Sequence, residues 1–216
     1  DEEAAPDWIA GLVAVARATG ADAVFGPVEA RADAPAEIGA LAPYFSRRIA
    51  RADGADVTDL AAYLGTNNSL FDRARCLAAA APFEVSLNET GGEDSLLLQR
   101  LVAQGRRFAW AAGAPVTEWA AARRLNWAYV RKRKFLSGQV RVFVQHMLGP
   151  GHWGRIPLWM AAGLAQAVLG GIAALLARPF DRERAERFAA GACGGLGKVL
   201  WTPRFRPALY GSGLVS

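Results

Sequence analysis

The sequence predicts an α/β layered domain followed by apolar helices, and three observations predict it. Short apolar runs closed by glycine or proline alternate with helix-period segments up to about residue 119. Charge divides at the same place: residues 1 to 118 carry 17 acids and 10 bases, and residues 119 to 216 carry 3 acids and 15 bases. Positions 156 to 177 then form 22 consecutive residues without a charge. With 216 residues at 52% hydrophobic content, the chain is long and apolar enough for one cored domain and an appendage.

The elements follow in order. Pro6 suits a first helical turn, and Trp8, Ile9, Leu12, Val13 and Ala16 continue at helical spacing. Residues 21 to 28 form a short apolar run closed by Gly26-Pro27, as a buried strand would be. Residues 35 to 51 return to helical character. Thr66-Asn67-Asn68-Ser69-Leu70-Phe71 reads as a polar turn entering a short strand, and a helix over 72 to 80 follows. A turn-rich stretch leads to Gly91-Gly92, a helix spans 93 to 104, and Gly105 stops it. Residues 106 to 111 and 115 to 119 then read as two strands.

The second half differs in kind. No acidic residue occurs between Glu118 and Asp181, while Arg123, Arg124, Arg131, Lys132, Arg133, Lys134 and Arg141 are interleaved with Trp127, Tyr129 and Phe135. Such a segment seeks anions: ligand phosphates, nucleic acid or an anionic membrane face. Gly149-Pro150-Gly151 breaks the helix. The uncharged run that follows would extend about 33 Å, enough to cross a hydrocarbon core. Pro157, Gln166, Gly163 and Gly170-Gly171 lower its hydrophobicity, and a single crossing would place Arg178, Arg182, Arg184 and Arg187 against the positive-inside tendency if the first half is cytosolic. A span, a hairpin and an in-plane helix all remain open. Residues 189 to 201 are a second, shorter apolar stretch that would pack against the first.

Several classes are disfavoured. Cys76 and Cys193 sit in unlike surroundings without metal-ligand spacing, so neither a disulfide framework nor a zinc site is indicated. His146 and His152 have no carboxylate companion nearby. Gly194-Gly195-Leu196-Gly197-Lys198 lacks both the first glycine and the Ser or Thr of a phosphate loop, and is assigned to packing. The apolar tail accounts for the basic charge more simply than nucleic acid does, so no nucleic-acid partner is expected.

Gly91-Gly92-Glu93-Asp94 places two carboxylates where a glycine loop becomes a helix. Glycine lets backbone approach a ligand closely, and a helix N-terminus holds anions. Thr90 and Glu93 also have the spacing of a capping box, which needs no function at all.

Taken together, Asp1-Glu2-Glu3 with Pro6-Asp7-Trp8-Ile9, Ala23-Val24-Phe25-Gly26-Pro27-Val28, Asn67-Asn68-Ser69-Leu70-Phe71, Gly91-Gly92-Glu93-Asp94, and Glu118 before a basic, aromatic helix resemble, in that order, family 2 glycosyltransferases. The resemblance covers about residues 1 to 145, and the hydrophobic tail looks like that of bacterial exopolysaccharide and cell-envelope members. It implies the C-terminal half of a GT-A, Rossmann-like domain over 1–145, and a hydrophobic, membrane-associated helical region over 146–216. The nucleotide-holding half of that fold would precede Asp1, so the chain is expected to be part of a longer enzyme.

By the same resemblance, Asp94 is the general base of an inverting transfer from a nucleotide-diphosphate sugar to a saccharide or lipid-linked acceptor. Glu93 orients or caps, and Asp1 is the last acidic position of a motif binding Mg²⁺ or Mn²⁺. Asn67 and Asn68 lie near donor or acceptor, and Arg124, Arg133 and Lys134, after Glu118, close over the diphosphate or the acceptor. Tyr129 stands where relatives commonly place tryptophan, and the Gln-x-x-Arg-Trp signature is absent, which disfavours processive synthesis. The expected location is the cytoplasmic face of the inner or plasma membrane. Two alternatives stay open: the basic cluster as a membrane-facing collar, and the whole chain as a non-catalytic membrane-binding or interaction module.

Overall fold

A computed structural model describes residues 2–33, 36–79, 81–87 and 91–205. Asp1 and Thr90, and with them the metal position and the first residue of the capping box, lie outside the described residues, as do Pro35 and Ala80. The architecture is mixed α/β, and the chain divides into two units, Asp1–Phe83 with Leu97–Leu125, and Glu84–Leu96 with Asn126–Ser216.

The first unit is built on strands whose alternating side chains serve two cores. Strand β1 is Glu2–Ala4, β2 Ala23–Phe25, β3 Val28–Ala32, β4 Ser69–Phe71, β5 Phe108–Trp110 and β6 Val116–Ala120. One sheet has the order β4-β2-β5, with β2 antiparallel to β4 and parallel to β5. Both β2 and β5 are buried along their whole length, so each reads as an unbroken apolar run. Ala23, Phe25, Phe108 and Trp110 point to one face, where they pack with Val57, Ala61, Leu64, Leu97, Leu98 and Leu101. Val24 and Ala109 point to the other, against Leu12 and Val15 of helix α1 (Trp8–Thr19). Gly20, in the left-handed region at φ +62°, ends α1 as its C-cap.

The second sheet has the order β1-β6-β3, with β1 antiparallel and β3 parallel to β6. The run over 21 to 28 holds β2, which ends at Phe25 before Gly26-Pro27 as expected, and also Val28, which opens β3 in the other sheet. Gly26-Pro27 makes the break: a Cβ at Gly26 would lie 2.5 Å from the Ala114 carbonyl oxygen and 2.6 Å from Asn68 Nδ2, so only glycine passes there.

The helix expected over 35 to 51 is also corrected. Among the described residues of that stretch, only Ala42–Phe45 is α-helical (α2), after a single 3₁₀ turn at Gly39–Leu41. Ser46 turns extended, and Arg47 then exchanges two backbone hydrogen bonds with Val28, each 2.9 Å. Pairing with a neighbouring strand has overridden local helix propensity. The helix expected over 72 to 80 is one turn, Arg73–Cys76 (α3), capped by Asp72 Oδ1 accepting from Arg75 N–H at 3.0 Å. Helix α4 (Glu93–Ala103) matches expectation to within a residue, and Gly105 takes φ +77° just after it.

The second unit is helical: α5 (Trp127–Met147), the single turn α6 (Pro150–Trp153), α7 (Arg155–Ala177) and α8 (Arg182–Val199). Asn126 caps α5 by accepting from Tyr129 N–H at 2.8 Å, and Asp181 caps α8 by accepting from Arg184 N–H at 2.9 Å. Glycines set how closely the helices approach. A Cβ at Gly197 would lie 1.9 Å from the Phe135 carbonyl oxygen on α5, and one at Gly195 would lie 2.5 Å from the Gly163 carbonyl oxygen on α7. The glycine-rich run 194 to 198 is thus a two-sided packing surface of α8, as small residues allow. Between α7 and α8, Gln166 donates to the Gly191 carbonyl at 2.7 Å and accepts from Lys198 Nζ at 2.6 Å.

This packing predicts opposite signs for two glycine substitutions. Gly197→Ala drives a methyl into backbone and is expected to lower stability by about 1 to 3 kcal/mol. Gly171→Ala, on α7 with nothing within 4 Å of its added Cβ, is expected to raise stability by about 0.5 to 1 kcal/mol through helix propensity alone. Denaturant midpoints of the two variants check both.

Candidate functional site

In the first unit the sequence-predicted residues gather around one turn. Arg47 is its organiser. Its guanidinium donates to the carbonyls of Gly26 (3.0 Å from Nη2) and Gly65 (2.9 Å), to Asn67 Oδ1 (3.0 Å), and to the carbonyls of Asn67 (2.5 Å) and Asn68 (3.1 Å). A planar fork of five donors can hold converging carbonyls in this way, and lysine cannot. Asn67, so oriented, donates through Nδ2 to Glu2 Oε1 at 3.0 Å.

Glu2 lies directly opposite Glu118 in the β1–β6 register. Like charges across a strand pair repel, and the Asn67 amide offsets part of that on Glu2. Next along β6, Trp119 Nε1 donates to Glu3 Oε2 at 3.1 Å, tying the same strand pair. Asn68 is buried at 4% exposure and sits at φ +45°; its amide donates to the carbonyls of Pro27 (2.6 Å) and Ala114 (2.8 Å), while its oxygen accepts from Trp8 Nε1 at 2.7 Å. The structure brings Asn67, Asn68, Glu2 and Glu118 into one bonded arrangement. Arg124 closes the single 3₁₀ turn Ala122–Arg124 after β6, and its Nε is buried without a hydrogen-bond partner among the described residues. An unanswered guanidinium N–H is a donor suited to an anion.

In the second unit, Gly91 (φ +71°) and Gly92 (φ +106°) take backbone angles that favour glycine. A Cβ at Gly92 would lie 2.7 Å from Val140 Cγ1, so the loop rests directly on α5. The Gly92 carbonyl accepts from Leu96 N–H at 2.9 Å and starts α4. Leu96 then packs with Leu87 and Val144, fixing this end of the helix. Glu93 and Asp94 occupy the first turn and are both half-buried. Arg133 lies two turns before Val140 on the same stripe of α5, and Lys134 follows it, more exposed.

Glu93 Oε2 is buried with no hydrogen-bond partner among the described residues. Burial raises its pKa above the ordinary glutamate value; a hydrogen bond from its own amide opposes the shift, and the Asp94 charge adds to it. An acid with a raised folded-state pKa is stabilising in its protonated form below its unfolded value, and that contribution is lost as pH rises through the folded value. Glu93→Gln is therefore expected to flatten the decline in stability on going from about pH 4 to pH 7, measured as denaturant midpoint against pH. A wild-type and variant pair with parallel profiles would reject this account of Glu93.

For a divalent ion the donor chemistry is suitable but sparse. Carboxylates such as Glu2 and Glu118 are hard oxygen ligands of the kind Mg²⁺ and Mn²⁺ take. Among the described residues, no group of three or more His, Cys, Asp or Glu side chains could hold a metal ion. Sequence reasoning did not single out Arg47 or Trp8 as supports for the turn. Their partners are 18 to 21 and 60 residues away, and nothing local marks them.

No family model matches the chain, and no solved structure matches it. The chain is similar to the succinoglycan biosynthesis protein ExoM of Rhizobium meliloti (strain 1021), at 31% identity over 174 residues. The match takes in 77% of this chain and 49% of ExoM, so the chain spans about half the length of the relative it matches.

Proposed function

We propose that the chain is part of a glycosyltransferase of family 2 type, with a GT-A domain, working in exopolysaccharide biosynthesis. The observation that carries this reading is the similarity to a protein named for succinoglycan biosynthesis, over a region that contains the Gly91-Gly92-Glu93-Asp94 loop. The geometry supports it: the loop rests on α5 through Gly92, where φ +106° and the nearby Val140 side chain both favour glycine, and Asp94 lies half-buried in the first helical turn that follows.

The reaction is a transfer from a nucleotide-diphosphate sugar to a saccharide or lipid-linked acceptor. Asp94 takes the proton from the acceptor hydroxyl as that oxygen bonds to the anomeric carbon. The bond from that carbon to the diphosphate oxygen breaks, and the nucleoside diphosphate leaves with the electron pair. Attack opposite the leaving group inverts the anomeric centre. Arg124, Arg133 and Lys134 are the cations suited to the phosphates. Asn67, held by Arg47, and Glu118 are suited to sugar hydroxyls, and Asn68 positions the turn that carries Asn67. A divalent ion held by Asp1 and neighbouring carboxylates would supply stabilisation of charge on the departing diphosphate.

The test is an assay of the complete reading frame containing these residues, with nucleotide sugars, membrane-derived acceptors and Mg²⁺ or Mn²⁺. Release of nucleoside diphosphate that requires acceptor and is abolished by chelation is the expected result. No release with any donor, from folded protein, rejects the reading.

A further inference from the structure

Helix α7 has two unlike faces, and among the described residues of the second unit only one of them has a partner. On the inner face, Gly163 and Gly170 meet α8 backbone, and Gln166 bonds the Gly191 carbonyl. On the outer face, Leu158, Leu164, Leu169, Ile172, Leu175 and Leu176 are 51 to 70% exposed. Every exposed position from 157 to 176 is proline, alanine, valine, leucine or isoleucine. A surface helix in water normally carries its polar residues there. An apolar face of this length, unbroken by any polar side chain, marks a binding surface. By length and composition, the run Pro150–Ala177 is also able to cross a membrane.

We infer that α7 lies in the plane of an anionic lipid bilayer as the keel of the α5–α7–α8 unit, with its outer face among the acyl chains, rather than crossing the bilayer.

Charge selects the occupant. Arg155 and Arg178 bracket α7, and no acidic residue lies between Glu118 and Asp181. Two copies joined through α7 would bring these like charges together, whereas anionic headgroups neutralise them. Aromatic residues at the start of α7 fit the same level. Trp153 stacks on His146 at 5.6 Å, and Arg141 and Lys198 lie over the Trp159 ring at 5.4 and 5.5 Å. Tryptophan and cations are the residues that favour a headgroup region.

The packing selects the orientation. Helix α8 runs antiparallel beside α7, with Gly195 at Gly163 and Ala192 at Gly170. At its other side α8 is bound to α5, through Gly197 at Phe135 and the Arg131–Glu186 ion pair. Lys134 of α5 lies level with Gly194 and, through it, with Gln166 at the middle of α7, and Arg131, Lys132 and Arg133 precede it on α5. If α7 crossed the bilayer with its partners in place, those charges would enter hydrocarbon, which charged side chains resist strongly. Lying flat, α7 sinks about 5 to 10 Å and leaves α5 and α8 at headgroup level.

The test uses the full chain with Cys76 and Cys193 replaced by alanine and single cysteines introduced as Leu158→Cys, Leu169→Cys and Leu176→Cys. All three positions are exposed, so the fold is expected to tolerate them. Spin labels at each are measured for depth in vesicles of phosphatidylcholine with about one part in three phosphatidylglycerol. The expected result is one shared shallow depth at all three, with binding roughly tenfold or more weaker on vesicles of phosphatidylcholine alone. A label at 169 near the bilayer centre with 158 and 176 shallow would establish a crossing and overturn the inference. Absence of vesicle binding, equal binding to neutral vesicles, or a stable dimer that buries the labels without lipid would each overturn it as well.

Discussion

Asp94→Asn is expected to lower sugar-transfer turnover in the complete reading frame by about 100- to 10,000-fold, the usual contribution of a positioned general base. That corresponds to about 3 to 5 kcal/mol of barrier. The substitution is nearly isosteric and keeps an acceptor oxygen, so the loop and the first turn of α4 are expected to remain. What is lost is the ability to take a proton. The signature is thus a fall in kcat with KM for the nucleotide sugar little changed, because donor binding rests on other groups. Circular dichroism on the same sample separates this from unfolding. A variant that retains turnover within a few-fold of wild type would remove Asp94 from the role of base. Glu93→Gln is the internal comparison: if the two carboxylates were interchangeable, both would fall alike, whereas the buried and partnerless Oε2 of Glu93 suits a positioning group.

Parts of this arrangement were legible in the sequence because they are set locally. The strand around Phe108-Ala109-Trp110, read from its short apolar run, and the helix from Trp8, read from its helical period, both survive in the fold. So does Gly105 as a stop, since a left-handed residue there needs no Cβ. The glycine run 194 to 198 was assigned to packing because it lacked the residues of a phosphate loop, and α8 uses it on two sides.

What failed was set at a distance. Residues 35 to 51 have helical composition, but Arg47 is claimed by Val28, and its side chain by carbonyls of Gly26 and Gly65. Gly26-Pro27 was readable as the close of a strand, but not that Val28 opens a strand of a second sheet, since its partners Val116 and Arg47 are far from it in sequence. Windows of a dozen residues carry no record of such partners. The same limit applies to the candidate site. The residue types at the loop were readable, but the Glu2–Glu118 register and the Arg47 fork exist only once the strands are paired.

Asn68 is where these long-range choices meet, and Asn68→Ala is expected to destabilise the protein by about 3 to 5 kcal/mol. The buried Ala114 carbonyl loses its partner outright, at about 1 to 3 kcal/mol for an unsatisfied buried polar group, and Trp8 Nε1, which is only part-buried, loses its acceptor at a smaller cost. The Pro27 carbonyl retains the Val116 N–H at 3.1 Å and contributes less. The backbone adds a further penalty of up to about 1 to 2 kcal/mol, because alanine meets the left-handed cost at φ +45° without the polar side chain that lets asparagine visit that region. Asn68→Gly removes that last component and none of the others, so it is expected to be more stable than Asn68→Ala by about that amount. Asn68→Asp keeps the shape but turns a carboxylate oxygen towards the Pro27 and Ala114 carbonyls, and it is expected to be the worst of the three near neutral pH. Denaturant midpoints in the order wild type, glycine, alanine, aspartate would establish the hydrogen bonds as the larger effect and φ as the smaller. Glycine matching wild type would mean that backbone angle alone selects asparagine, and that Trp8 and Ala114 gain nothing from it. Because the Asn68 carbonyl and the neighbouring Asn67 are held by the same Arg47, a loosened turn is also expected to release Asn67 from Glu2. Fold stability and the arrangement of the candidate site therefore depend on one buried side chain.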